Sequence, residues 1–186
     1  MDTKSQIIDV ATLLFQQKGY KGVGLTEIIK TCNISKGSFY HHFPNGKEEC
    51  LIACLRSLSD TITGEINRIF NQSPTTHEAT KKMIEKLVGL LEVDGTIAGY
   101  TFTSIVSGMG SEIEPVRTVL SDFYLKMQKI YTTKLETDGF SKETAHSNAL
   151  MMTASIEGAI LLCMTQKTSG PLKTISQLLT KLLKEF

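Results

Sequence analysis

Between Ser35 and Phe43 the chain reads Ser35-Lys36-Gly37-Ser38-Phe39-Tyr40-His41-His42-Phe43, where hydroxyls, a cation, a phenol and two imidazoles alternate with apolar rings. Small hydroxyl residues beside a lysine suit hydrogen bonding to phosphate oxygens more than they suit bond-breaking chemistry. The sequence contains no Ser-His-Asp arrangement, HExxH, Gly-rich phosphate loop or paired-acid motif, so an all-α enzyme has little to stand on. His41 and His42 are adjacent, and neighbours on a helix point about 100° apart, which keeps them from sharing a ligand. The four cysteines, Cys32, Cys50, Cys54 and Cys163, form no CxxC. They read as small buried hydrophobes and not as metal ligands or disulfide partners. No catalytic residue, metal site or cofactor is expected.

The charge around this block is uneven. From Lys18 to Lys47 there are five lysines (Lys18, Lys21, Lys30, Lys36, Lys47) against one acid, Glu27, a local charge of +4 with His41 and His42 nearby. Residues 51–186 hold 14 basic and 14 acidic groups, and the whole chain carries only +1. A short basic stretch on a neutral body points to nucleic acid meeting the first segment alone. A merely solvated lysine face is the plainer alternative. With 186 residues, 41% hydrophobic and 21% charged, the composition is globular and excludes wholesale disorder. That length suits one domain, or a small module joined to a larger one. No apolar run is read as reaching the roughly 18 residues of a membrane span. Met1-Asp2-Thr3-Lys4-Ser5-Gln6 lacks a signal-peptide core. A cytoplasmic protein with no membrane partner is expected.

The elements that must position these groups are helices. Ile7, Ile8, Ala11, Leu14 and Phe15 fall on one helical face, with Thr3 as its N-cap and Gly19 as its end. A second helix is expected over 25–32, a third from a Ser35 cap to about His42, and a fourth from Lys47 towards Asn71 after the Pro44-Asn45-Gly46 break. Further helices are expected over 77–93, 97–107, 115–137, from a Ser141 cap to about Thr168, and from Pro171 to Phe186. The fold class is all-α, with about nine helices.

Helices two and three form a helix-turn-helix. Ile28, Ile29 and Cys32 face Ile34, Phe39 and Phe43, and the tight turn asks for a residue that accepts positive φ, a place that falls to Asn33. The outer side of helix three then carries Ser35, Lys36, Gly37, Ser38, Tyr40 and His41. The second helix of such a motif enters the major groove. Tyr40 suits a phosphate contact. Lys47, a cation at a helix start, opposes that helix dipole, which calls for a phosphate or an acidic partner.

The stretch from Ile7 to Leu51 resembles the TetR family of bacterial transcriptional regulators. The residues that carry the resemblance are Ala11, Leu14-Phe15, Gly19-Tyr20, Ile28-Ile29, the block Ser35–Phe43 and Lys47-Glu48-Glu49. Gly24 departs from the threonine that often caps helix two in the family, and Pro44-Asn45-Gly46 adds a residue before Lys47. That longer turn, Ile156–Leu162 and Pro171-Leu172 are similar to the LmrA/YxaF-type subgroup. The resemblance implies a homodimeric repressor with a helix-turn-helix DNA-binding domain over 1–46 and a ligand-binding and dimerisation domain over 47–186. Thr26, Ser35, Lys36, Gly37, Ser38, Tyr40, His41 and Lys47 match the family's DNA-facing positions. The subgroup implies control of efflux or detoxification genes.

The C-terminal part has no chemistry of its own. The apolar face of the last helix, including Ile175, Leu179 and Leu182, together with small residues such as Gly158 on the helix before it, suits a dimer surface. An intramolecular core is the alternative on the pattern alone, and the family resemblance favours dimerisation. Tyr100, Phe102, Phe123, Met127 and Met152 supply aromatic and thioether groups for an adaptable apolar pocket, although such residues are commonly plain core. Glu157 is a polar residue in an apolar helix, placed to orient a ligand, to cap a buried hydroxyl or to sit at a dimer rim. The expected partners are therefore operator DNA, a small hydrophobic effector and a second copy of the chain. The competing reading is a constitutive DNA-binding protein without a ligand.

Overall fold

The computed structural model describes residues 2–97 and 114–183. Among them are eight helices and no strand: α1 (Thr3–Gly22), α2 (Leu25–Thr31), α3 (Lys36–His42), α4 (Lys47–Asn71), α5 (Thr76–Asp94), α6 (Glu114–Thr137), α7 (Lys142–Gln166) and α8 (Gly170–Leu182). The chain is all-α, as expected. Nearly all of the span expected to supply a further helix, 97–107, lies outside the described residues. The chain forms two compact units, Met1–Thr61 with Ala98–Asp122, and Ile62–Ile97 with Phe123–Phe186.

In the first unit, Ile7, Ala11 and Phe15 of α1 are fully buried at helical spacing, together with Ile28, Cys32, Phe39, Phe43, Cys50, Leu51, Cys54 and Leu55. Each fully buried Leu, Ile or Phe contributes about 1.5–3 kcal/mol before the opposing chain entropy. Specific polar ties fix its geometry. The Gln6 amide donates to the Cys32 carbonyl at the end of α2 (3.1 Å), and the Cys54 thiol donates to the Ile8 carbonyl (3.5 Å). The expected cap of α1 needs correction. Asp2, not Thr3, is the N-cap, its carboxylate accepting from the Ser5 N–H at 2.8 Å. Thr3 already lies in the first turn. At Gly19 (φ 69°) the helical path breaks as expected, and a short further turn follows to Gly22.

The second unit is built by the same local rules. Thr75 caps α5 and Ser141 caps α7, each side chain accepting an N–H three residues on. Gly95 (φ 67°) ends α5 in the left-handed conformation. Its core includes Met83, Ile84, Leu87, Tyr131, Leu135, Met152, Ile156, Ile160, Leu172 and Leu179. The Tyr131 ring packs on Phe70 at 4.9 Å. Although no apolar run of membrane-spanning length was expected, Lys142–Gln166 is long and apolar enough, by length and composition alone, to cross a membrane. Ala149, Met152, Ile156, Ala159, Ile160 and Cys163 of that helix are buried within the chain, and Leu150, Leu161 and Leu162 are exposed.

Candidate nucleic-acid interface

The reading surface is made by α2, a four-residue turn and α3. Asn33 has φ 53°, and the chain reverses there through Asn33 N–H to the Lys30 carbonyl (3.0 Å) and Ile34 N–H to the Ile29 carbonyl (3.2 Å). The left-handed residue is the one whose side chain best tolerates it after glycine. Ser35 then caps α3, its hydroxyl accepting from the Ser38 N–H at 3.0 Å. Ser35 thus orients the helix from within. Phe39 and Phe43 stack at 5.4 Å and are buried, which turns the opposite side of α3 outward.

That outward side holds the expected α3 residues, with Thr26 on α2 and Ser35 at the cap. Thr26, Ser35, Lys36, Gly37, Tyr40 and His41 are exposed, and Ser38 is half-buried. Tyr40 is 39% exposed, its ring edge-on to Phe39 and 5.9 Å from the Lys36 ammonium. A Cβ added at Gly37 would meet nothing closer than the Ser35 hydroxyl at 3.8 Å, so packing within the chain does not require glycine there. The missing side chain instead leaves the α3 backbone open to close approach from outside. Gly46, at φ 78°, is required by its backbone, and the Tyr40 ring rests against it. The His41 and His42 rings lie 5.0 Å apart and steeply inclined, and no group of three or more metal-ligating side chains occurs among the described residues.

The electrostatics are sharper than the sequence count. Glu27, the one acid of the stretch, is paired with Lys18 at 2.5 Å. Among the described residues, Lys21, Lys30 and Lys36 make no ion pair and are exposed. Lys47 is placed differently from these three. Its ammonium donates to the carbonyls of Tyr20 (3.0 Å) and Val23 (2.9 Å) and lies 4.0 Å from the Tyr20 ring centroid. Burial lowers its pKa from the ordinary lysine value.

The other expected site residues lie in the second unit. Phe123, Met127 and Met152 are buried there, and Tyr100 and Phe102 lie outside the described residues. Glu157 is half-buried and accepts a hydrogen bond from the Tyr124 phenol at 3.3 Å. Burial pushes its carboxyl up to about 7 against a smaller opposing effect of that phenol, and burial first, then Glu157, raises the Tyr124 pKa. Tyr124 is a partner that the residue pattern does not assign to Glu157, because the two lie 33 positions apart. A half-open cleft of about 560 Å³ in this unit is lined by Leu91, Glu92, Cys163, Met164, Lys167 and Ser169 among others, and not by Phe123, Met127, Met152 or Glu157. Of the expected dimer residues, Leu182 and Gly158 are exposed and Ile175 is half-buried, whereas Leu179 is buried in the chain's own core. The apolar residues that α7 and α8 leave exposed are Leu150, Leu161, Leu162, Leu178 and Leu182.

A helix-turn-helix with a capped, outward-facing second helix, followed by a helical body, defines a class of bacterial DNA-binding regulators. Residues 7–54 match the family described as bacterial regulatory proteins, tetR family, and residues 76–178 match the LmrA/YxaF-like C-terminal domain of transcriptional regulators. The chain belongs to the TetR family, and its C-terminal part is of the LmrA/YxaF-like kind. It is 32% identical over 183 residues to the HTH-type transcriptional regulator LmrA of Bacillus subtilis, covering 98% of this chain and 97% of the relative. Over 68 residues it is 40% identical to IcaR, the negative transcriptional regulator of the biofilm operon icaADBC in Staphylococcus aureus, covering 35% of this chain and 37% of that one. The fold is similar to that of E. coli NemR in its reduced form, with a TM-score of 0.87, 20% identity and 98% of each chain covered.

Proposed function

We propose that this regulator is a ligand-responsive repressor that binds a palindromic operator as a homodimer and is released by a small hydrophobic effector. The observation that carries the reading is the outer side of α3, where a helix held by the Ser35 cap and the Phe39–Phe43 stack exposes Lys36, Gly37, Tyr40 and His41. In this reading Lys36, Ser38 and His41 meet base edges or phosphates in the major groove. Thr26, Ser35 and Tyr40 hold the backbone, and Gly37 allows close approach. Residues 1–46 carry recognition, and 47–186 carry the effector and the dimer. Repression follows from occupying the operator, in line with the negative regulator matched over 68 residues. A cytoplasmic location goes with that role.

The body supports the remaining steps. Leu150, Leu161, Leu162, Leu178 and Leu182 leave an apolar face on α7 and α8 that a second copy would cover. Within the second unit, Phe123, Met127 and Met152 supply apolar surface for the effector, and the Tyr124–Glu157 pair gives it one polar anchor. Coupling of about 1–3 kcal/mol between effector and DNA suffices for a 5- to 150-fold change in affinity.

The test is selection of bound duplexes from fragmented genomic DNA by the purified chain, followed by titration of hydrophobic compounds against the complex. Recovery of a palindrome whose affinity falls steeply with salt is expected, with a slope of about 0.9 per phosphate contact. Release by a compound supports the inducible reading. A complex that no hydrophobic compound releases, in a protein that still binds its palindrome, favours the constitutive one.

A further inference from the structure

The first turn of α4 holds a tie whose purpose neither the family nor the exposed reading surface explains. Lys47 stands at the positive end of the α4 dipole, an unfavourable place for a cation. Its ammonium reaches back 24 and 27 residues to the Val23 and Tyr20 carbonyls, which lie at the negative end of α1. An ammonium has three N–H donors. Two are taken by these carbonyls, and the Tyr20 ring covers the ion at 4.0 Å. Tyr20 is itself held by Phe15 of the core, with ring centroids 5.8 Å apart. The other end of α1 is fixed to the helix-turn-helix by the Gln6 bond to the Cys32 carbonyl. α1 is thus pinned to the end of α2 at one end and to the start of α4 at the other. In sequence, the helix-turn-helix lies between Val23 and Lys47, the two ends of the second tie.

We propose that Lys47 serves DNA reading as a positioning residue and not as a phosphate ligand: its ammonium ties the last turn of α1 to the first turn of α4 and sets the frame in which α2 and α3 meet the operator. The charge that the sequence pattern offers to phosphate is used inside the protein, on carbonyls. This inference rests on the DNA-reading role proposed for the first unit.

The experiment compares wild type, Lys47→Met and Tyr20→Leu as full chains on the selected operator and on a scrambled duplex, across a range of salt. Lys47→Met keeps the aliphatic stem against Tyr20 and removes the ammonium. Circular dichroism sets a temperature at which each variant is fully folded, so loss of stability alone does not move the readout. The expected result for Lys47→Met is a loss of about tenfold on the operator, comparable to one mismatched base pair, with scrambled-duplex affinity and salt slope unchanged. Tyr20→Leu removes a ring and no charge, and is expected to give a smaller loss with the same signature, which keeps the test open should Lys47→Met fail to fold. An equal loss on both duplexes, with the slope reduced by about 0.9, makes Lys47 a phosphate ligand and overturns the proposal. Wild-type operator affinity in a folded variant overturns it too, because the tie then positions nothing. A wild type that prefers no duplex overturns both this inference and the DNA-reading role, whereas the variant outcomes overturn this inference alone.

Discussion

Replacing Glu157 by Gln is expected to change how the stability of the protein depends on pH. The Glu157 side chain is half-buried on α7, with the Tyr124 phenol at 3.3 Å as its hydrogen-bond donor. Burial raises its pKa from 4.5 to about 7. The unfolded chain has the ordinary value, so between about pH 4.5 and 7 the native state binds more protons than the unfolded state, and stability falls as pH rises. The stabilisation is fully present below the unfolded pKa and is lost as pH passes the folded one. At about 1.36 kcal/mol per pKa unit, the loss across that window is about 3 kcal/mol. Gln has nearly the same shape and cannot ionise, so the variant lacks this contribution. Urea unfolding of both proteins at one concentration, from about pH 4 to pH 8, isolates it, because every other titrating group cancels in the difference. Wild type is expected to lose about 3 kcal/mol relative to Glu157→Gln over the range, most of it between pH 5 and 7. Tyr124→Phe removes the donor that favours the carboxylate and is expected to steepen the wild-type trend. Parallel curves for wild type and Glu157→Gln would show that water reaches the carboxyl and refute the burial argument.

Two further outcomes are expected. Asn33→Val places a β-branched residue at φ 53° in the helix-turn-helix and is expected to cost about 1–2 kcal/mol in thermal unfolding. Asn33→Gly is expected to stay within a few tenths of wild type, and equal stability of the two variants would deny that the left-handed turn matters. Leu161→Glu combined with Leu178→Glu charges two residues that are 57% and 56% exposed in the single chain. Sedimentation is expected to show folded monomers with weakened operator binding. A dimer of wild-type strength would place the interface elsewhere. Leu179→Glu is the contrasting case, since it buries a charge in the chain's own core and is expected to unfold the protein.

Much of the helical framework was legible because its signals are local. Caps and breaks act within three or four residues: Ser35 on the Ser38 N–H, Ser141 on the Thr144 N–H, Gly95 ending α5. The positive φ of Asn33 follows from a short turn between two apolar helix faces, and the burial of Phe39 and Phe43 follows from their spacing. Even the cap of α1 was misplaced by only one residue, because Asp2 and Thr3 both carry a capping oxygen and only the backbone path chooses between them. What tertiary structure decided are pairings between residues far apart in sequence. A lysine at a helix start announces an unmet need for negative charge, but nothing near it shows that the Tyr20 and Val23 carbonyls meet that need. Asp138 has a local ion-pair partner in Lys134, yet nothing near it in sequence shows that its carboxylate accepts from the Thr76 N–H at 2.5 Å, 62 residues away. The apolar stripe of α8 named Leu179 and Leu182 together. Packing against α5 and α7 buries the first and leaves the second exposed with Leu178. Periodicity identifies the face of a helix, and the neighbours that divide that face between core and surface exist only once the chain has folded.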